Sequence, residues 1–287
     1  MHSPEIIAQS LLRPHIIEGK TKKIYSIIDN PKNVILVAKD DITAGDGAKH
    51  DLIKGKAKLS NQTTCNVFRL LQSCGIPVAF HEQIWQETFA YEFGDPKEPD
   101  KHGFTAPLCA MLPFEVVVRR LGYGTYLDRN PHLEKGHVFP KLVVEFFLKT
   151  SGKVWRGVGS GKTYELKKDD PLISFDWSNE KIDLYYPGHS ADERKTAPKG
   201  ELVAQKPFLT LPINEVFGEI QSTEMSSGLI ELMTIIATDT FLVLEKAWQL
   251  QGKNLADFKV EFGDDMDGNL LLADVIDNDS WRVIDVD

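Results

Sequence analysis

The sequence predicts a mixed fold of the α+β class, and three observations carry it. Short runs of branched residues separated by turn signals open the chain, apolar residues at helical spacing occupy two later stretches, and strand-like apolar runs lie between them. At about 150 residues per domain, 287 residues make one large domain or two modest ones.

In chain order, Ser3-Pro4 supplies a cap and a first-turn proline for a short N-terminal helix. Ile16-Ile17, Lys22 to Ile28 and Val34 to Ala38 then read as strands, with Asp29-Asn30-Pro31 as the turn between the last two, an antiparallel start. Val67, Leu70, Leu71 and Cys74 fall at i, i+3, i+4 and i+7, and Gly75 and Pro77 follow, which predicts a helix over 60–74. Val116-Val117-Val118 and Val143 to Leu148 read as buried strands. A second long helix is expected over 223–250, with Leu229, Leu232, Met233, Ile236 and Leu244 as its apolar face and Gly252 beyond its last turn. The stretch 150–222 is rich in glycine, lysine, aspartate and proline and reads as an elaborated surface excursion.

Composition narrows the function classes. Hydrophobic residues make up 42% and charged residues 26%, which sets aside disordered, collagenous and coiled-coil proteins. The net charge of −9 disfavours nonspecific binding to nucleic acid or an anionic membrane, while leaving room for a local basic cleft. Three cysteines without a CxxC pair argue against a disulfide framework or structural zinc and fit a reducing compartment; with no basic-then-apolar leader and no apolar run near 18 residues, the expectation is cytoplasmic.

Several segments carry chemistry-bearing residues. Gly19-Lys20-Thr21-Lys22-Lys23 joins two strands; in an extended chain Lys20 and Lys22 point the same way, an arrangement for polyphosphate or simply a solvated basic hairpin. Asp40 to Ala48, which includes Thr43 and Asp46, suits a metal or polar substrate groups, or else a turn with helix-capping aspartates. Apolar strands give way to Arg119-Arg120 and to Lys149, where a ligand cleft or an ordinary strand boundary lies; Thr125 and Arg129 add a hydroxyl and a cation to such an anion site. In Asp257 to Phe262, strict alternation puts Phe258, Val260 and Phe262 on one face and Asp257, Lys259 and Glu261 on the other. Asp274 interrupts the apolar run Leu270 to Ile276 and calls for a cationic partner or a metal. Glu261 and Asp274 fall on two arms of one expected hairpin, where magnesium satisfies both; a salt bridge to Lys259 or Arg282 is the alternative.

Two motifs are set aside. Gly159-Ser160-Gly161-Lys162-Thr163 lacks the first P-loop glycine, having Arg156 there, and no apolar helix follows it. Asp265-Met266-Asp267-Gly268 has the look of a calcium loop without flanking helices.

Taken together, Glu18-Gly-Lys-Thr-Lys-Lys-Ile-Tyr25, Ile42-Thr-Ala-Gly-Asp-Gly-Ala48, Pro113-Phe-Glu-Val-Val-Val-Arg119, Phe146-Phe-Leu-Lys149, Phe258-Lys-Val-Glu-Phe-Gly263 and Leu272 to Arg282 resemble the phosphoribosylaminoimidazole-succinocarboxamide synthase (SAICAR synthetase) family, in order across almost the whole chain. The resemblance implies an ATP-grasp-like fold, with an N-terminal nucleotide-cradle lobe over 1–112, a larger α/β lobe over 113–287 and ATP between them. It implies a ligase that joins L-aspartate to carboxyaminoimidazole ribonucleotide through an acyl phosphate, uses ATP and magnesium, and works as a homo-oligomer without nucleic-acid or membrane partners. Gly19, Lys20, Thr21, Lys22 and Lys149 would hold ATP, and Glu261 and Asp274 its magnesium. Arg119, Thr125, Lys259, Arg282 and Asp46 would bind substrate, with Lys20, Lys149 and Asp170 at the reacting centre. A small-molecule kinase and a non-catalytic ATP-binding regulator are the competing readings.

Overall fold

The computed structural model describes residues 15–27, 30–44, 49–84, 102–150, 152–188, 206–218 and 222–285. The expected helix at Ser3-Pro4 and the candidate Asp46 lie outside them. The chain divides into two compact units, residues 1–112 with 262–280 and residues 113–261 with 281–287. A single break at 112 does not give this division, because 262–280 groups with the first unit.

In the first unit, β1 (His15–Glu18), β2 (Lys22–Ile27), β3 (Asn30–Ala38), β6 (Glu82–Ile84) and β7 (His102–Pro107) form an antiparallel sheet in the order β1-β2-β3-β7-β6. β4 (Asp41–Ala44) and β5 (Lys49–Leu52) make a separate hairpin. Asn30 and Pro31, expected in a turn, already belong to β3, where Asn30 pairs with Ile27. Tyr25, Ile35, Val37 and Ile84 cluster together in the core, and Phe68 of helix α1 (Lys56–Ser73) meets Phe80 and Phe104. Helix α1 buries Ala57, Asn61, Thr64, Cys65, Val67, Phe68 and Leu71, while Leu70 and Cys74 are exposed. The buried stripe is rotated from the expected one because two polar residues, Asn61 and Thr64, occupy it. Residues 262–280 are stitched in by backbone: Leu272 N–H donates to Pro77 O at 2.9 Å, and its carbonyl accepts from Ala79 N–H at 2.8 Å.

The second unit is built on an antiparallel sheet of β14 (Leu209–Pro212), β13 (Lys181–Tyr185), β12 (Leu172–Asp176), β9 (Val138–Leu148), β8 (Cys109–Leu121) and β15 (Lys253–Asp265), with β17 (Trp281–Asp285) also on β15. The unit division falls within β8 and β15. The expected surface excursion therefore supplies three strands of a sheet. Ile182 and Leu184 are fully buried there, and the short strands are hidden in the composition by their polar connections. Another short hairpin pairs β10 (Val154–Arg156) with β11 (Thr163–Glu165).

Short helices α2 (Thr125–Arg129) and α3 (Asn214–Phe217) accompany the long helix α4 (Thr223–Gln249). Ser222 caps α4 by accepting from Met225 N–H at 3.2 Å. By length and composition α4 could cross a membrane; one face of it packs into the core, where Met233, Ala237 and Phe241 are fully buried and Phe241 packs edge-on against Phe258.

Candidate functional site

The first unit contributes the β1–β2 turn. Gly19 N–H donates to Lys22 O at 2.9 Å, and Thr21 O accepts from Lys39 N–H at 2.8 Å, which fixes the loop. Gly19 is not in the left-handed region, and a Cβ there would meet only Lys22 O at 3.6 Å, so this turn does not require glycine for close approach. Lys20 is exposed, whereas Lys22 forms an ion pair with Asp274. Asp274 does not lie inside a strand as expected: β16 (Leu270–Ala273) ends before it, and Asp274 takes φ 62. That left-handed conformation, tolerated by aspartate but costly, turns the carboxylate off the strand toward the lysine.

Beside this pair is a pocket lined by Thr21, Lys22, Leu36, Ala38, Ser60, Asn61, Phe104 and Val275. Ser60 and Asn61 were not expected. Asn61 lies on the buried stripe of α1, and Ser60 beside it is half-buried. Asp40 proves to be a helix cap, accepting from Gly55 and Ala57 N–H at 3.2 and 2.8 Å.

In the second unit an arginine cluster surrounds two carboxylates. Arg119, 5% exposed, donates to Glu145 and Asp257, both at 2.8 Å; Arg129 also pairs with Glu145, and Arg282 lies 3.3 Å from Asp257. Arg119 does not end an apolar strand, since β8 continues to Leu121. Three guanidinium groups face two carboxylates, leaving one surplus positive charge, and half-exposed Arg282 is the cation open to solvent. Gly124, at φ 60, is where a Cβ would crowd the Arg282 guanidinium at 3.1 Å, while the Arg282 guanidinium sits over Tyr123. Thr125 follows directly and opens α2; at Gly188 a Cβ would lie 2.5 Å from its own. Burial pushes the Asp257 carboxyl above its ordinary range, against the opposing pull of Arg119 and Arg282.

A second cluster in this unit has the opposite balance. Lys149, just past the end of β9, pairs with Glu261, and Lys259 pairs with Glu115 at 2.6 Å and reaches Glu261 at 4.0 Å. Asp170, at φ 43, is tied down by Thr150, whose N–H donates to its carboxylate at 2.6 Å. Burial alone would lower the Lys259 pKa, but Glu115, Glu261 and Asp170 together hold it above the ordinary lysine value. Two ammonium groups against three carboxylates leave one surplus negative charge. The structure thus brings Lys149, Asp170, Lys259 and Glu261 together and gives Lys259 a different partner from Arg119 and Arg282. Glu115 was missed, although an acid within Phe114-Glu115-Val116 is the same signal that singled out Asp274.

The oxygen-only donors suit a hard divalent ion. Among the described residues no three His, Cys, Asp or Glu side chains are grouped so as to hold a metal ion by themselves. The rejected motifs have structural explanations. A Cβ at Gly159 would lie 2.5 Å from Asn214 O, and Ser160 donates to Glu215 at 2.9 Å, so that loop is shaped by packing on α3. The Asp265 side chain accepts from Asp267 and Asn269 N–H at 2.9 and 2.8 Å, closing the turn between β15 and β16.

The family profile for SAICAR synthetase matches residues 15–153 and 214–287 and passes over most of the stretch that adds β10 to β14. A Chloroflexus aurantiacus phosphoribosylaminoimidazole-succinocarboxamide synthase is 37% identical over 93% of this chain and 79% of its own. A Rattus norvegicus bifunctional phosphoribosylaminoimidazole carboxylase/phosphoribosylaminoimidazole succinocarboxamide synthetase is 33% identical over 93% of this chain, which spans 48% of that relative, about half its length. Among solved structures, a SAICAR synthetase (Type-2) in complex with ADP has a TM-score of 0.61 at 26% identity, covering 94% of this chain and 83% of that one.

Proposed function

Because the chain belongs to the SAICAR synthetase family, we propose that it joins L-aspartate to the carboxylate of carboxyaminoimidazole ribonucleotide, with ATP converted to ADP and phosphate. The observation that carries this reading is the pair of clusters in the second unit, one with surplus positive charge for a phosphate and one with lysines and carboxylates for a metal-bound nucleotide. The γ-phosphoryl group passes to the substrate carboxylate, forming an acyl phosphate and ADP. The aspartate amine then attacks the acyl carbon, phosphate leaves, and the amine gives up a proton.

Arg282 and Thr125, backed by Arg119, hold the ribonucleotide phosphate in this reading. In the second unit Lys149 holds ATP phosphates and Lys259 screens charge near the reacting carboxylate; in the first unit Lys20 and Lys22 are the cations for nucleotide phosphate. Asp170, fixed by Thr150, orients groups beside Lys259. Carboxylates such as Glu261 would hold magnesium, which would supply neutralisation of phosphate charge; Glu261 in the second unit and Asp274 in the first are each already held in place by a lysine. No side chain needs to act as a nucleophile, so positioning and neutralisation carry the rate. The test is ADP release measured with each substrate omitted in turn: dependence on all three supports the reading, and turnover with ATP alone, indifferent to the ribonucleotide, overturns it. Phosphorus NMR that finds phosphate on a stable product would point to a kinase instead.

A further inference from the structure

Helix α2 carries Thr125, yet it does not hold itself in place. It is five residues long, buries none of its side chains and has no side-chain cap at Gly124, and a helix so short has almost no stability of its own. Neighbouring elements fix it instead. Tyr126 packs edge-on against Phe139 of β9, with ring centroids 5.1 Å apart. Arg129 pairs with Glu145 through one guanidinium nitrogen and donates through another to the carbonyl oxygen of Pro187.

Pro187 and Gly188 belong to the stretch that the family profile passes over. They follow directly on β13, which is firmly anchored: Ile182 and Leu184 are fully buried, Phe208 N–H donates to Leu184 O at 2.9 Å, and the Tyr186 and Phe208 rings meet at 5.3 Å. Gly188 is buried, takes φ 154 and sits closer to α2 than any residue with a side chain could. A Cβ there would lie 2.5 Å from Thr125 Cβ, 2.7 Å from its methyl group and 2.9 Å from an Asp128 carboxylate oxygen. Thr125 Cβ is bonded to the helix backbone and cannot swing aside, so a side chain at 188 must push two backbones apart. Carbon atoms settle at about 3.5 Å, which makes that displacement about 1 Å.

We propose that Pro187 and Gly188 are positioning residues for the ribonucleotide phosphate, a statement that rests on the reading of Thr125 and Arg282 given above. The stretch outside the family profile then acts as a brace. Its carbonyl and Glu145 hold Arg129 between them as a strut, and its glycine sets how far the Thr125 hydroxyl stands from the phosphate on Arg282. Binding groups must keep their geometry to about 0.5 Å, less than the displacement that a side chain at 188 forces.

The test is calorimetric titration of the full chain with three probes: carboxyaminoimidazole ribonucleotide, the corresponding riboside, which lacks the phosphate, and ATP. Gly188→Ala is expected to weaken ribonucleotide binding at least about tenfold while the affinities for riboside and ATP hold, and to raise the KM for ribonucleotide with kcat little changed. Thr125→Ala measures what the hydroxyl itself supplies, and Gly188→Ala added to it should cost little more, because both act through one contact. Should Gly188→Ala fail to fold, judged by circular dichroism, Arg129→Lys takes its place: it keeps a cation for Glu145, loses the bond to Pro187 and should show the same phosphate-specific loss. Arg282→Met separates the proposal from the reading beneath it. Ribonucleotide affinity that survives Arg282→Met would overturn the phosphate site and the brace together. If Arg282→Met weakens binding, the brace alone is overturned when Gly188→Ala and Arg129→Lys bind as wild type does, when riboside affinity falls as far as ribonucleotide affinity, or when the losses from Gly188→Ala and Thr125→Ala simply add.

Discussion

Replacing Arg119 with methionine tests the balance of the arginine cluster. The substitution keeps an aliphatic side chain but removes donors 2.8 Å from both Glu145 and Asp257, leaving carboxylates that are only 10% and 9% exposed with fewer cations. Removing one partner of a buried pair costs about 3–5 kcal/mol, a large share of the roughly 5–15 kcal/mol of a typical domain. Arg119→Lys keeps the charge but reaches only one carboxylate well, so about half the loss should be recovered.

The pH dependence fixes the sign. Asp257 already has a folded-state pKa raised by burial, so the native state binds its proton before the unfolded state does. Its contribution to stability is greatest below the unfolded value and falls as pH rises through the raised one. Without Arg119 the value rises further, and the destabilisation should be largest near neutral pH and shrink in mild acid. Urea unfolding of wild type, Arg119→Met and Arg119→Lys at several pH values measures this. A loss below about 1 kcal/mol, or one that does not change with pH, would refute the account of a buried, jointly held carboxylate pair.

Other consequences concern binding and packing. Lys20→Ala should raise the KM for ATP at least tenfold while moving the melting temperature by no more than about 2 °C, since exposed surface substitutions stay within about 0.5 kcal/mol; an unfolded variant would count against a binding role. Glu261→Gln should weaken manganese binding in the presence of ATP, read by electron paramagnetic resonance, and unchanged affinity would remove Glu261 from the metal set. Gly159→Ala puts a Cβ 2.5 Å from Asn214 O and should cost about 1–3 kcal/mol without changing ATP affinity in the folded fraction; selective loss of nucleotide binding would revive the P-loop reading.

Local chemistry made much of this protein legible. The antiparallel opening, both long helices and the alternation Phe258, Val260, Phe262 follow from periodicity, which a chain carries in itself. Lys149 at a strand end and the demand of Asp274 for a cation could also be read directly. Other features depend on residues that meet only after folding. The partner of Asp274 is Lys22, some 250 positions away, and neither Lys259 nor Arg282 takes that role. Arg119 looks like a strand terminus until pairing carries β8 on to Leu121, and strands β12 to β14 are inconspicuous until β9 offers an edge. Glu115 becomes a site residue only when Lys259 arrives from a distant strand. Sequence by itself determined the local elements and the kinds of charge available. The tertiary structure decided which charges neutralise one another, because ion pairing depends on distance in space and on burial, neither of which is written in the order of residues.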